Sequence, residues 1–157
     1  MKKYLTLVFL ILISINIASC GYQLRGNDEI KFKSISIDGG SASFNKVLKK
    51  KFKRKGVKIE TGNAEKILEI ISDSYSKDIL SLSSAGKVKE YKIKYKISYR
   101  FKVRGGEWSN QIDIETNRDY TYDDKNIIAK TKEESRIIKG MQEQLIRTIT
   151  TQISISN

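Results

Sequence analysis

Lys87 to Arg104 reads KVKEYKIKYKISYRFKVR. From Lys89 onward the stretch alternates. Tyr91, Ile93, Tyr95, Ile97, Tyr99, Phe101 and Val103 fall on one side. Glu90, Lys92, Lys94, Lys96, Ser98, Arg100, Lys102 and Arg104 fall on the other. Successive side chains of a β-strand point to opposite faces, so the stretch reads as one long strand with an apolar and a basic face. Its β-branched and aromatic residues favour that conformation. A strand this long and two-faced belongs in the middle of an antiparallel sheet, with one face covered and the other wet or engaged.

The flanks extend the sheet. Gly105-Gly106 is a hairpin signal. A two-residue loop there pairs Arg104 with Glu107 and Val103 with Trp108. The same register sets Tyr99 by Ile112, Ile97 by Ile114 and Tyr91 by Tyr120. On the opposite face it sets Ser98 by Asp113, Lys96 by Glu115 and Lys92 by Asp119. Apolar meets apolar and base meets acid, which fixes the register and lowers the potential of the basic face. On the N-terminal side, Lys66 to Leu82 is the preceding strand. Leu68 and Ile70 share a parity with Leu80 and Leu82, whereas Ile71, Tyr75 and Ile79 take the other. That phase change predicts a bulge or irregular middle near Asp73 to Asp78. With Ala85-Gly86 as the loop, Leu68, Ile70, Leu80 and Leu82 all land on the tyrosine face.

Further out, Lys31 to Asp38 is a short strand ending at the turn signal Gly39-Gly40. Ser41 or Ser43 caps a helix whose buried stripe is Phe44, Val47, Leu48 and Phe52, stopped by Gly56. Its other faces carry Lys46, Lys49, Lys50, Lys51, Lys53, Arg54 and Lys55, and read as solvated. Val57 to Glu60 is a short extended piece. Asp123 or Asp124 caps a last helix with the stripe Ile127, Ile128, Ile138, Met141, Leu145 and Ile149. It runs to about Thr151, with a frayed tail after it. The order is β-α-β-β-β-α. It predicts a two-layer α/β domain, two helices on one face of a mixed four-stranded sheet, over residues 31–157.

The N-terminus carries a different signal. Lys2 and Lys3 precede an apolar run, Leu5 to Ile17, too short for a comfortable membrane span. The run ends in Ile17-Ala18-Ser19-Cys20, which resembles a bacterial lipobox. Residues 1–19 therefore read as a lipoprotein signal peptide and 20–30 as a tether. Cys20, the one cysteine among 157 residues, is the lipidation site and leaves no internal disulfide. The covalent lipid replaces any cofactor in this reading. Gly21 after the cysteine favours the outer membrane, by resemblance to lipoprotein sorting in enteric bacteria. The anchored domain then faces the periplasm, on the inner leaflet. The formal charge is +12, or +10 from Cys20 onward. An exported protein meets little nucleic acid, so the polyanion available to this charge is lipopolysaccharide.

Catalytic chemistry is sparse. The chain has no histidine, no phosphate-binding glycine loop and no metal-ligand cluster. Asp123-Asp124 reads as a helix cap and Glu133-Glu134 as a solvated helix face. The expectation is a protein that is not an enzyme.

Several short motifs together resemble the LptE family of lipopolysaccharide-assembly lipoproteins. Cys20-Gly21-Tyr22-Gln23-Leu24-Arg25-Gly26 is similar to that family's mature start. Ala85-Gly86-Lys87-Val88-Lys89-Glu90-Tyr91 is similar to its hairpin. Arg118 to Asp123, then Ala129-Lys130, Glu133-Glu134, Met141 and Gln144-Leu145-Ile146-Arg147, resemble its last strand and helix. The resemblance implies two helices on a four-stranded sheet and no catalysis. It implies a plug inside the LptD β-barrel that helps assemble that barrel and deliver lipopolysaccharide to the outer leaflet. It also implies lipopolysaccharide binding through basic residues, one mapping onto Lys130. A second, an arginine before the hairpin glycine, maps onto Ser84, and Lys87 just past the turn is the candidate substitute. The other reading is a stand-alone, periplasm-facing lipoprotein that binds an anionic ligand.

Overall fold

The computed structural model describes residues 30–156. The signal peptide, the tether up to Glu29 and Cys20 lie outside the described residues. The elements are β1 (Ser34–Gly39), α1 (Ala42–Arg54), β2 (Lys58–Ile59), β3 (Lys66–Leu82), β4 (Val88–Val103), β5 (Ile112–Thr121) and α2 (Ile127–Ile155). A 3-10 turn, Asp124–Asn126, leads into α2. The sheet order is β2-β1-β3-β4-β5, with β1 parallel to β2 and β3 and the rest antiparallel. The sheet thus has five strands rather than the expected four. The added strand is the short extended piece after α1. Its two residues, Lys58 and Ile59, pair with Ser34 and Ile35. A two-residue strand carries no alternation to read.

β4 is central, as its alternation requires. Ile93, Tyr95, Ile97 and Tyr99 are buried under the helices. The register with β5 is the expected one from Tyr91–Tyr120 to Tyr99–Ile112, including Lys92–Asp119, Lys96–Glu115 and Ser98–Asp113. Beyond Tyr99 it slips. Ser109 N donates to the Phe101 carbonyl (2.8 Å) and Gly106 N to that of Val103 (3.0 Å). The ladder pairs Arg104–Glu107 and Val103–Trp108 do not form. Trp108 instead folds onto the outer face, its ring 4.6 Å from the Arg100 guanidinium and 4.8 Å from the Lys102 ammonium.

β3 changes character at Ile71. Lys66, Leu68 and Ile70 are buried, and this is the part that β1 pairs with. The register to β4 shifts between Ile70 and Ser72, again between Ile79 and Ser81, and once more before Leu82. The irregularities therefore bracket Asp73 to Asp78 rather than lie within it. Leu80 and Leu82 do not reach the core. They are 42% and 56% exposed, and Tyr75 and Ile79 are also open. After the shift at Ile71 the odd residues of β3 pair with the buried face of β4, so Leu80 falls off that face, and Leu82 pairs with outward-facing Val88. Tyr75 and Ile79 do face the helix side and are open because of length. A 17-residue strand spans about 55 Å, whereas the 13-residue α1 spans about 20 Å. The β3–β4 hairpin outruns α1.

The core is one cluster. Phe44, Leu48 and Phe52 of α1 join Ile35, Leu68, Ile70, Ile93, Ile97 and Tyr99, and Met141, Leu145, Ile146, Ile149 and Ile153 of α2. Fully burying one such side chain stabilises by about 1.5–3 kcal/mol. Ser41 caps α1, its Oγ accepting from Phe44 N at 3.3 Å while donating to Asp73 at 2.6 Å. At the start of α2, Ile127 and Ile128 are 59% and 76% exposed, so the stripe begins later than expected. At its end the expected frayed tail is packed. Ile153 is fully buried, and Lys66 Nζ donates to the Ser156 carbonyl at 2.6 Å. Among the described residues no helix is long and apolar enough to cross a membrane.

Candidate functional site

The outer face of the sheet, which the alternation of β4 made the first suspect, is largely self-neutralised. Lys96 lies opposite Glu115 in the ladder but bonds Asp113 diagonally at 3.0 Å. Lys94 reaches Asp78 at 3.8 Å, and Arg100 pairs with Glu69. Hydrogen bonds from Ser98, Gln111 and Lys96 hold the Asp113 carboxyl down at about 2. Cations and carboxylates interleave here, so the face is polar without being strongly basic.

The end of the β3–β4 hairpin is different. Ser83 N donates to the Lys87 carbonyl (2.7 Å) and Gly86 N to that of Ser83 (2.9 Å), closing a turn with Gly86 at φ 73°. Ser84 sits exposed on this turn. Lys87 leaves it toward the 3-10 turn that precedes α2, and its ammonium meets Asp124 at 2.8 Å. That hydrogen bond raises the Lys87 ammonium and lowers the Asp124 carboxyl from their ordinary values. Both side chains are more than half exposed. Six residues past Asp124, Lys130 lies on the first turns of α2 and pairs with Glu133 at 2.8 Å. The structure therefore brings Lys87 and Lys130 to one end of the molecule, each already holding a carboxylate. Cys20 lies outside the described residues.

Two shallow clefts meet at Asp124. One, about 540 Å³, is lined by Ser83, Gly86, Lys87, Lys89, Tyr122 and Asp123 among others. The second, about 370 Å³, runs along Lys125 to Ala129. Exposed Ile127 and Ile128 line the second cleft. Cations, clefts and open apolar side chains together suit a ligand with anionic groups beside hydrocarbon.

Beneath this end lies a cluster that the sequence reading missed. Lys77 Nζ bonds Glu134 at 2.6 Å and sits 4.1 Å from the centre of the Tyr91 ring. Tyr120 donates its hydroxyl to the same Glu134 oxygen at 2.6 Å. Tyr91 stacks on Tyr120 and meets Tyr122 edge-on, with ring centres 5.8 and 5.2 Å apart. Burial works against both charges, yet their mutual hydrogen bond wins. The Lys77 ammonium ends well above its ordinary value and the Glu134 carboxyl below it. Glu134 is thus no solvated helix residue, although its neighbour Glu133 is half exposed. One signal was present. Lys77 shares the odd parity of Tyr75 and Ile79, the parity that the bulge at Ile71 turns toward the helices.

A further cleft of about 360 Å³ opens at the opposite end, between Lys31, Phe32, Glu65, Lys66, Val103, Arg104 and the end of α2. Two of its cations, Lys66 and Arg104, are committed to structure. Lys66 holds the Ser156 carbonyl, and Arg104 holds those of Asn63 (2.6 Å) and Ala64 (3.3 Å). No group of three or more histidine, cysteine or acidic residues among the described residues is arranged to hold a metal.

The family described as LptE, Lipopolysaccharide-assembly, matches residues 32–153. The chain is similar to rare lipoprotein B from Shewanella oneidensis, with 26% identity and a TM-score of 0.68 over 77% of this chain and 93% of that one. It is similar to an uncharacterized lipoprotein B from Nitrosomonas europaea, at 26% identity and TM-score 0.70 over 85% and 90%. A minor lipoprotein from Acinetobacter baumannii shares the fold, at 21% identity and TM-score 0.63 over 78% and 91%. No curated protein matches the chain.

Proposed function

The chain belongs to the LptE lipopolysaccharide-assembly family, and on that premise we propose that it is a non-catalytic outer-membrane lipoprotein, anchored through lipid on Cys20. It plugs and helps assemble the LptD β-barrel and assists delivery of lipopolysaccharide to the outer leaflet. The match over residues 32–153 carries this reading. Two features of the surface support it. The outer sheet face is polar and hydrogen-bonding, the surface that a barrel interior accepts. The hairpin end offers Lys87 and Lys130 beside open apolar side chains, which fits phosphate next to acyl chains.

The test is affinity purification of the tagged full chain from detergent-solubilised outer membranes, read by mass spectrometry. A stoichiometric large β-barrel is the expected result, and a lone protein at comparable yield refutes the plug. Lys87→Glu with Lys130→Glu places each new carboxylate beside an existing one and weakens lipopolysaccharide binding. Unchanged binding removes both residues from the site.

A further inference from the structure

β3 changes its company along its length. From Lys66 to Ile70 it lies between β1 and β4. β1 then ends at Gly39. The chain turns into α1, where Ser41 donates its backbone N–H (2.8 Å) and its hydroxyl (2.6 Å) to Asp73. From Ser72 onward, no strand among the described residues pairs with the side of β3 away from β4. In an antiparallel pair, successive residues turn their N–H and C=O groups alternately toward the neighbour and away from it. Every second residue from Ser72 to Ile79 therefore presents both groups on a free edge. That edge is about 26 Å long.

Proteins guard such an edge with proline, outward lysine or bulges. This chain has no proline. The bulges lie at the two ends of the stretch, between Ile70 and Ser72 and between Ile79 and Ser81, and leave its middle regular. Its one lysine, Lys77, is turned inward to Glu134 and the Tyr91 ring. Asp78 is drawn back over the sheet by Lys94. The two faces of the edge differ. Tyr75 and Ile79, 53% and 59% exposed, lie on the helix side beyond α1. On the outer side stand Ser72, Ser74 and Ser76, all exposed. The first face has apolar surface with nothing over it. The second has side chains too short to hold a neighbouring strand away.

Donors and acceptors repeating along a strand are satisfied in series by another polypeptide backbone, and a lipid or a sugar has no such repeat. The occupant is therefore a length of extended chain. It carries apolar side chains over Tyr75 and Ile79 and small or polar ones on the serine side. In the proposed function one polypeptide surrounds this domain, the LptD barrel. The wall strands of a closed barrel are already paired on both sides, so its spare backbone lies in segments folded into the lumen. We propose that such an inward-folded segment of the barrel chain adds to this sheet along Ser72–Ile79, in the lane that β1 leaves at Gly39. This inference rests on the proposed function and deepens it. A strand pair has one register, so the contact sets the height and rotation of the plug within the lumen. It stops at the bulge before Ser81, short of Lys87, and leaves the hairpin-end clefts open.

The test uses the tagged full chain, expressed with its own leader in the bacterium that carries the barrel. Photoreactive benzoylphenylalanine replaces Ser72, Ser74 or Ser76 in turn, and mass spectrometry locates the crosslinked residues. Strand addition has a signature that contact with the barrel wall lacks. The crosslinks should fall in one short run of the barrel chain and advance by about two residues for each two-residue step along β3. Adding Tyr75→Lys and Ile79→Lys should reduce the crosslink from position 74 several-fold. The thermal midpoint should hold, because both side chains are open. Three results overturn strand addition and leave the plug standing: crosslinks scattered over several wall strands, crosslinks to a second copy of this chain, or none from a chain that co-purifies with the barrel. Undiminished crosslinking in the lysine variant does the same. A chain that purifies without a barrel overturns the plug, and the inference with it.

Discussion

Breaking the Lys77–Glu134 pair should loosen the hold of α2 on the β3–β4 hairpin, by an amount the geometry bounds. Exposed ion pairs measure about 0.2–1 kcal/mol. This pair is better shielded, with side chains 30% and 22% exposed. It is also held by more than Coulomb attraction, since Tyr120 donates to Glu134 and Lys77 lies over the Tyr91 ring. A partly desolvated cation–π contact and a charge-assisted hydrogen bond raise the expected coupling to about 1–2 kcal/mol. The assay is a double-mutant cycle, with urea unfolding of the wild type, Lys77→Met, Glu134→Gln and the double variant at pH 7. The pH dependence follows from the two shifts. Glu134 is held below its ordinary 4.5, so its contribution is present above that pH and disappears as acid protonates the folded carboxylate. Lys77 is held above its ordinary 10.5, so its contribution is present below that pH and disappears as the folded ammonium finally deprotonates in stronger alkali. The coupling should form a plateau between these limits and shrink as acid protonates the folded Glu134 carboxylate. A coupling under about 0.3 kcal/mol at pH 7, the usual limit of additivity, would refute the reasoning. So would a coupling that survives acid unchanged.

Gly39→Ala should destabilise by about 2 kcal/mol or more, because φ is +71° and the added Cβ would lie 2.2 Å from the Ile70 carbonyl oxygen. Gly86→Ala meets nothing within 4 Å and should cost only the left-handed strain, about 1 kcal/mol. Equal losses in thermal unfolding would contradict the close approach of β1 to β3. Ile153→Ala should cost about 2–4 kcal/mol, since Ile153 is fully buried near the C-terminus. A change under about 0.5 kcal/mol would restore the frayed tail.

What could be read from the sequence was what period and register carry. Lys89 to Val103 alternates over enough residues to fix β4, and matching it against Ile112 to Tyr120 fixed the β5 pairing. Both helical stripes were readable for the same reason, at Phe44, Leu48 and Phe52 and at Met141, Leu145 and Ile149. The rest depends on which element reaches how far, and hydrophobicity does not encode that. Leu80 and Leu82 look like core residues by type, yet the register shifts of β3 put them off the buried face, and Ile127 and Ile128 are exposed at the very start of α2. Ile153 looks like tail, but β3 provides Lys66 to hold the backbone that follows it. The Lys77 cluster needed two facts at once: that the bulge at Ile71 turns odd residues of β3 inward, and that α2 passes over them at Glu134. Of the candidate ligands, Lys87 and Lys130 were legible as residues by resemblance, and their partners Asp124 and Glu133 were not.

Those partners change what the hairpin end can do. A lysine with no carboxylate offers its full charge to a phosphate. Lys87 and Lys130 must first share or release Asp124 and Glu133. An arriving phosphate therefore exchanges one charge-assisted hydrogen bond for another, and most of the net gain must come from elsewhere. The exposed Ile127 and Ile128 supply it, because burying apolar surface contributes roughly 25 cal/mol per Å² whatever the charges do. The site would then discriminate by needing both parts. An anionic headgroup without acyl chains finds its cations already paired, and a neutral lipid finds no cation to orient it.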